Sequence, residues 1–174
     1  MAKLINTVHT DGGKEYVHSA SNYTTNEDSV LAKGFGVTTD NPQTTEMQFN
    51  QTAKFWDNEN KNPFIHLTMA FTPSEAPDAN TALAIAEKAI DSVKNDHLVS
   101  IGIHEKEMVN SNYHAHVFIQ TTNFKDGSMI YPSNSTIFPI AQSIADQTGE
   151  KCTLIKKKEN NMTKDFRQTF YPHK

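Results

Sequence analysis

Residues 98–120 read LVSIGIHEKEMVNSNYHAHVFIQ, and the alternation within this stretch decides the fold. Successive side chains of a strand point to opposite faces of its sheet. In the first half Val99, Ile101 and Ile103 share one face, and Leu98, Ser100, Gly102 and His104 share the other. In the second half Tyr113, Ala115, Val117 and Ile119 oppose His114, His116, Phe118 and Gln120. Two such runs joined by a polar turn predict an antiparallel hairpin with its aliphatic face toward the core. An in-register hairpin then gathers His104, His114 and His116 on the opposite face. An isolated H-x-H in a strand is most often a polar surface pair, but a third histidine on the adjacent strand makes a candidate site for a divalent cation.

The chain around the hairpin has a regular rhythm. Residues 64–71 alternate as a strand, with Ile65, Leu67, Met69 and Phe71 on one face and His66, Thr68 and Ala70 on the other. Asp78 is the expected cap of a helix running to about Asn95, in which Leu83, Ala86, Ile90 and Val93 recur at helical spacing. A short strand is expected at 129–131, then a helix over 137–147 ended by Gly149, then a strand over 152–155. Strand, helix, strand, strand, helix, strand is the split βαβ order: an α+β fold whose antiparallel sheet carries both helices on one face. The other face is expected to be open and to carry the active site.

Nearer the N-terminus, residues 3–8 read as a first strand and residues 14–22 as a short helix carrying Tyr16 and His18, with Tyr23 just beyond. Residues 24–39, polar and containing Gly34 and Gly36, read as a loop or loose hairpin. A helix follows from a cap at Asp40, with Pro42 in its first turn and Met47, Phe49, Phe55 and Trp56 as its expected buried face. The expected division is one domain over 1–155 and a polar, mobile C-terminal tail over 156–174.

Composition narrows the function. A chain of 174 residues, 36% hydrophobic and 21% charged, suits one globular domain with a real core. It has no apolar run long enough for a bilayer and no signal-peptide core at its start, so a cytoplasmic protein without membrane association is expected. Cys152 is the single cysteine, which excludes an internal disulfide and a cysteine-based zinc cluster. Any metal must be held by histidine and oxygen. The net charge of −4 does not announce nucleic-acid binding, although Lys156, Lys157 and Lys158 form a small basic run.

The stretch HEKEMVNSNYHAHVFIQTTNFKDGSMI, residues 104–130, resembles the metal-binding signature of the relaxase/mobilisation nuclease family, within the HUH endonuclease superfamily. NPFIHLTMAFTPSE at 62–75 resembles the family's strand before its long helix, and SNYTTNED at 21–28 resembles its N-terminal tyrosine region. The resemblance spans about residues 14–155. It implies a stand-alone catalytic domain that nicks and rejoins one DNA strand at a specific site through a 5′-phosphotyrosine intermediate, as plasmid mobilisation relaxases do. By the same resemblance Tyr23 is the nucleophile, with Tyr16 as a second candidate. His104, His114 and His116 are the metal ligands, for Mg²⁺ or Mn²⁺. The implied partner is single-stranded DNA at an origin of transfer or replication, with room for an accessory DNA-binding protein. The family commonly has an aspartate two residues after its first histidine, where this chain has Lys106 between Glu105 and Glu107. Either glutamate is then a candidate base or histidine-orienting group, with Glu107 taken as the catalytic one, and His18 is another candidate base.

Two other readings start from the same residues. A single-strand DNA-binding module that has lost nicking would use Phe118, Phe124 and Tyr131 as stacking platforms. His66-Leu67-Thr68 resembles one half of the paired His-x-Thr signature of two-histidine RNA phosphoesterases, but a second His-x-Thr is missing from the chain.

Overall fold

The computed structural model describes residues 1–9, 13–26, 28–105, 112–158 and 166–174. In chain order the elements are β1 (Ala2–Val8), α1 (Lys14–Thr25), β2 (Ser29–Phe35), α2 (Pro42–Phe55), β3 (Phe64–Ala70), α3 (Ala79–Ala89), β4 (His97–Glu105), β5 (Tyr113–Asn123), α4 (Asn134–Thr148), β6 (Cys152–Lys158) and β7 (Phe166–Phe170). The seven strands form one sheet in the order β2-β4-β5-β3-β1-β6-β7. Every pairing is antiparallel except that of β1 with β6. The expected α+β fold is present, with the split βαβ unit formed by β3, α3, β4, β5, α4 and β6. β1 is inserted between β3 and β6, which makes it antiparallel to the first and parallel to the second.

The aliphatic face forms the main core. Leu4, Leu67, Met69, Val99, Ile101, Ile103, Ala115, Val117 and Ile119 are buried against Ala82, Ile85 and Ala86 of α3 and Ile137, Ile140 and Ile144 of α4. The expected cap at Asp78 and stop at Gly149 are both present, but α3 ends at Ala89 and not near Asn95. The Asp78 carboxylate accepts the Thr81 N–H at 2.7 Å at the start of α3, and Gly149 closes α4 at φ 69°, a left-handed position open to glycine.

The histidine face is less open than the sequence suggests. A second core of Val17, Ala20, Val37, Phe49, Phe64, Leu98 and Phe118 seats α1 and α2 on it. In α1 the buried residues Val17, Ala20, Ser21 and Thr24 follow the i, i+3, i+4, i+7 stripe of an amphipathic helix. Phe118, expected as a stacking platform, is buried in this core.

Several local expectations are corrected. The stretch 24–39 supplies the tail of α1 and the edge strand β2, whose Leu31 and Phe35 pack on the main core. α2 is capped by Asn41, which accepts from Thr44 N at 2.8 Å, and not by Asp40. Its inward residues are Thr45, Phe49 and Ala53, while Met47 and Phe55 face solvent. Residues 129–131 make only an isolated bridge from Met129 to Thr122. Residues 156–174, expected as a mobile tail, continue β6 to Lys158 and add β7 beside it, and His173 bonds to Asp146 on α4.

Candidate active site

The hairpin closes in the expected register. His104 of β4 stands opposite His114 of β5, and Gly102 stands opposite His116. On the other flank of β5, His116 faces Thr68 and His114 faces Ala70 of β3. One nitrogen from each of His104, His114 and His116 lies within 4.8 Å of the other two. Two nitrogens on one ion at about 2.1 Å are separated by at most roughly 4.2 Å, so a small side-chain rotation closes the triad on a divalent cation. The residues present fit such an ion.

His104 is held by a backbone contact. Its Nε2 donates to the carbonyl oxygen of Tyr23 at 3.1 Å, which leaves the Nδ1 lone pair for a ligand. Burial pushes its pKa below the usual imidazole value, outweighing the opposing pull of the Tyr23 carbonyl and of Asp28. A neutral ring is the form that binds metal.

Tyr23 completes the cluster from α1. Its ring stacks on His104 at 4.8 Å between centroids and meets His116 edge-on at 4.6 Å. Its hydroxyl lies 3.3 Å from His116 Nε2. Burial, with Asp28 nearby, raises the phenol pKa above its ordinary value, so the hydroxyl is protonated at neutral pH. Tyr23 as a whole remains 39% exposed.

The other tyrosine is placed elsewhere. Tyr16 packs on His9 at 4.5 Å and edge-on to Phe64 at 5.4 Å, in the second core. His18 Nδ1 pairs with the Glu46 carboxylate of α2 at 2.8 Å. Five residues along a helix separate His18 from Tyr23 by about 140°, so the two point from different faces of α1. Glu107 and Lys106 lie outside the described residues.

Four residues support the cluster in roles that the sequence reading did not assign. Gly102 lets the end of α1 settle onto β4: a Cβ there would lie 2.9 Å from the Thr24 carbonyl oxygen. Thr24 and Ser100 exchange a hydroxyl hydrogen bond at 3.2 Å across the same contact. His66 stands behind His116, with its Nε2 3.4 Å from His116 Nδ1 and its Nδ1 3.0 Å from His9 Nε2. Burial, and then the neighbouring His9, lowers the His66 pKa to about 4. In the sequence it was marked by its place on the non-aliphatic face of a strand and by the half His-x-Thr signature, neither of which points to His116.

Three histidines converge on one sheet face beneath a helix-borne tyrosine. Residues 16–154 match the relaxase family, MobA/VirD2-like, nuclease domain. The chain belongs to this family. Membership carries the general activity, DNA nicking by a relaxase nuclease domain that binds single-stranded DNA. A solved structure titled "Molecular Basis of Vancomycin Resistance Transfer in Staphylococcus aureus" superposes with a TM-score of 0.55 at 12% identity, covering 86% of this chain and 89% of that one. At that identity the likeness is one of fold. No curated protein sequence matches the chain. Among the described residues of this relaxase domain, no helix is long and apolar enough to cross a membrane.

Proposed function

We propose that this relaxase domain nicks and rejoins one DNA strand at a defined site, with Tyr23 as nucleophile and His104, His114 and His116 as ligands of Mg²⁺ or Mn²⁺. The observation that carries the reading is the 3.3 Å contact between the Tyr23 hydroxyl and His116 Nε2, which sets an oxygen nucleophile at the edge of a metal-binding triad. When bound, the cation supplies positive charge against the non-bridging oxygens of the scissile phosphate. Hard phosphate oxygens favour magnesium or manganese in that role.

Tyr23 Oη attacks phosphorus, the bond from phosphorus to the 3′ oxygen breaks, and the 5′ phosphate remains on the tyrosine. The phenolic proton passes to a base, and the departing 3′ oxygen gains a proton. The raised pKa of Tyr23 makes that base necessary, and Glu107 is the residue we assign to it. Phosphotyrosine keeps the energy of the broken ester, so the free 3′ hydroxyl can reverse the step. The substrate in this reading is single-stranded DNA at an origin of transfer or replication, in the cytoplasm.

The test is a pool of random single-stranded oligonucleotides incubated with the protein and manganese. A covalent adduct resistant to denaturant is expected, with the nucleotide on the peptide carrying Tyr23 by mass spectrometry. An adduct mapped to another tyrosine would overturn the assignment, and a nick without any adduct would overturn the covalent mechanism.

A further inference from the structure

We propose that His66 is a positioning residue for the metal site: it accepts the Nδ1–H of His116 and thereby turns the His116 Nε2 lone pair toward the ion and Tyr23. The inference rests on the metal reading above and adds the residue that selects the tautomer of one ligand.

A neutral imidazole has one N–H and one lone pair, so a ring that hydrogen-bonds through both nitrogens must donate at one and accept at the other. His116 presents Nε2 to the Tyr23 hydroxyl at 3.3 Å and Nδ1 to His66 Nε2 at 3.4 Å. Metal binding uses a lone pair, and Nε2 is the nitrogen on the Tyr23 side. His116 must therefore carry its proton on Nδ1, and His66 must accept it at Nε2. His66 then carries its own proton on Nδ1, where His9 Nε2 stands 3.0 Å away to accept it. The three rings form a file from His9, just past the end of β1, across β3 to β5, with one proton direction compatible with a metal.

The His66 ring is fixed in this orientation. It stacks on Phe118 at 4.4 Å with planes 13° apart, and on His9 at 5.3 Å with planes 19° apart. Thr68 Oγ1 lies equally close to His116 Nδ1, at 3.4 Å. A hydroxyl rotates to donate or to accept, so Thr68 does not select a tautomer. Partners of this kind behind a ligating histidine typically contribute about 10- to 100-fold in metal affinity.

Glutamine carries its amide oxygen about where histidine carries Nε2, whereas asparagine falls short and leucine has no acceptor. Titration calorimetry with manganese on the full chain is expected to show affinity about 10- to 100-fold weaker in His66→Leu. His66→Asn should behave like His66→Leu, and His66→Gln should remain close to wild type. Long-range ¹H–¹⁵N correlation spectra of the imidazoles, recorded without metal, should show His116 in the Nδ1–H form in wild type and in His66→Gln. Thermal melting of each variant separates unfolding from lost positioning. Wild-type affinity in a folded His66→Leu, or an Nε2–H form of His116 in the wild type, overturns the proposal. Wild-type protein that binds no manganese yet shows the Nδ1–H form would sink the metal reading and leave the His66–His116 contact standing, so the two failures are distinguishable.

Discussion

Gly102 of β4 and Thr24 of α1 touch backbone to backbone: a Cβ on Gly102 would stand 2.9 Å from the Thr24 carbonyl oxygen and 3.1 Å from its Cα. The residue before Thr24 is Tyr23, so this contact sets how deeply the tyrosine reaches into the triad. Gly102→Ala forces α1 outward because the obstructing atoms are backbone and cannot rotate away. Overpacking of this kind costs about 1–3 kcal/mol. A displacement near 1 Å at the reacting group costs about 100-fold in rate. Adduct formation should slow on that scale, while manganese affinity by calorimetry should fall far less, because the variant keeps all three histidines and only loosens the Tyr23 carbonyl's hold on His104. Full adduct kinetics in the alanine variant would show that α1 is not positioned by this contact.

The double variant His114→Ala/His116→Ala should lose manganese binding and nicking together, because it removes two of the three nitrogens that converge. Manganese should also protect the wild type against heat. At 100 times its dissociation constant a native-state ligand adds about 2.7 kcal/mol, which raises the midpoint by several degrees for a domain of this size. A chelator should reverse both effects without unfolding the chain. Undiminished manganese affinity in the double variant would exclude the site.

Tyr23→Phe should abolish the protein–DNA adduct and leave metal affinity intact, since only the hydroxyl is removed and the stack on His104 remains. Tyr16→Phe should retain the adduct, because the Tyr16 ring belongs to the second core. Denaturing electrophoresis with labelled DNA reads both. Glu107→Gln should weaken nicking more than manganese binding; equal losses in both measurements would argue against its role as the base.

His97 sets a pH dependence on stability that is independent of the metal site. It is buried on β4 with its Nδ1 2.9 Å from the Gln120 carbonyl oxygen, and burial lowers its pKa despite that bond and the nearby Asp96. Below about pH 6.5 the unfolded chain takes up a proton that the folded ring resists. Stability therefore falls as pH drops from about 6.5 toward the lowered folded value, and the contribution is fully present above that window. Urea unfolding of His97→Gln and wild type across pH 7 to 5 should show a shallower loss in the variant. Parallel curves would refute a neutral, buried His97.

Much of the site was legible in the sequence because the relevant geometry is local. Strand side chains alternate with a period of two, so the order of residues in 98–104 and 113–120 alone places Val99, Ile101, Ala115 and Val117 in the core and His104, His114 and His116 on the far face. The caps at Asp78 and Gly149 are equally local. α2 was harder to read: its aromatics occur around the whole helix, and only the seat offered by Phe64 and Phe118 selects Phe49 for burial while Phe55 stays in water.

Tertiary structure decided what depends on contacts distant in sequence. The insertion of β1 between β3 and β6 rests on pairings with residues 66–70 and 152–158, which no local pattern encodes. Tyr23 could be named by family resemblance, but its place against His116, 93 positions away, follows from the missing Cβ of Gly102 and the Thr24–Ser100 bond. His66 showed in the sequence as a polar strand residue and as half of a His-x-Thr pair, not as a neighbour of His116. Its contact with His116 exists because β3 pairs with β5 in one register, and a shift of one residue would have turned His66 into the aliphatic core.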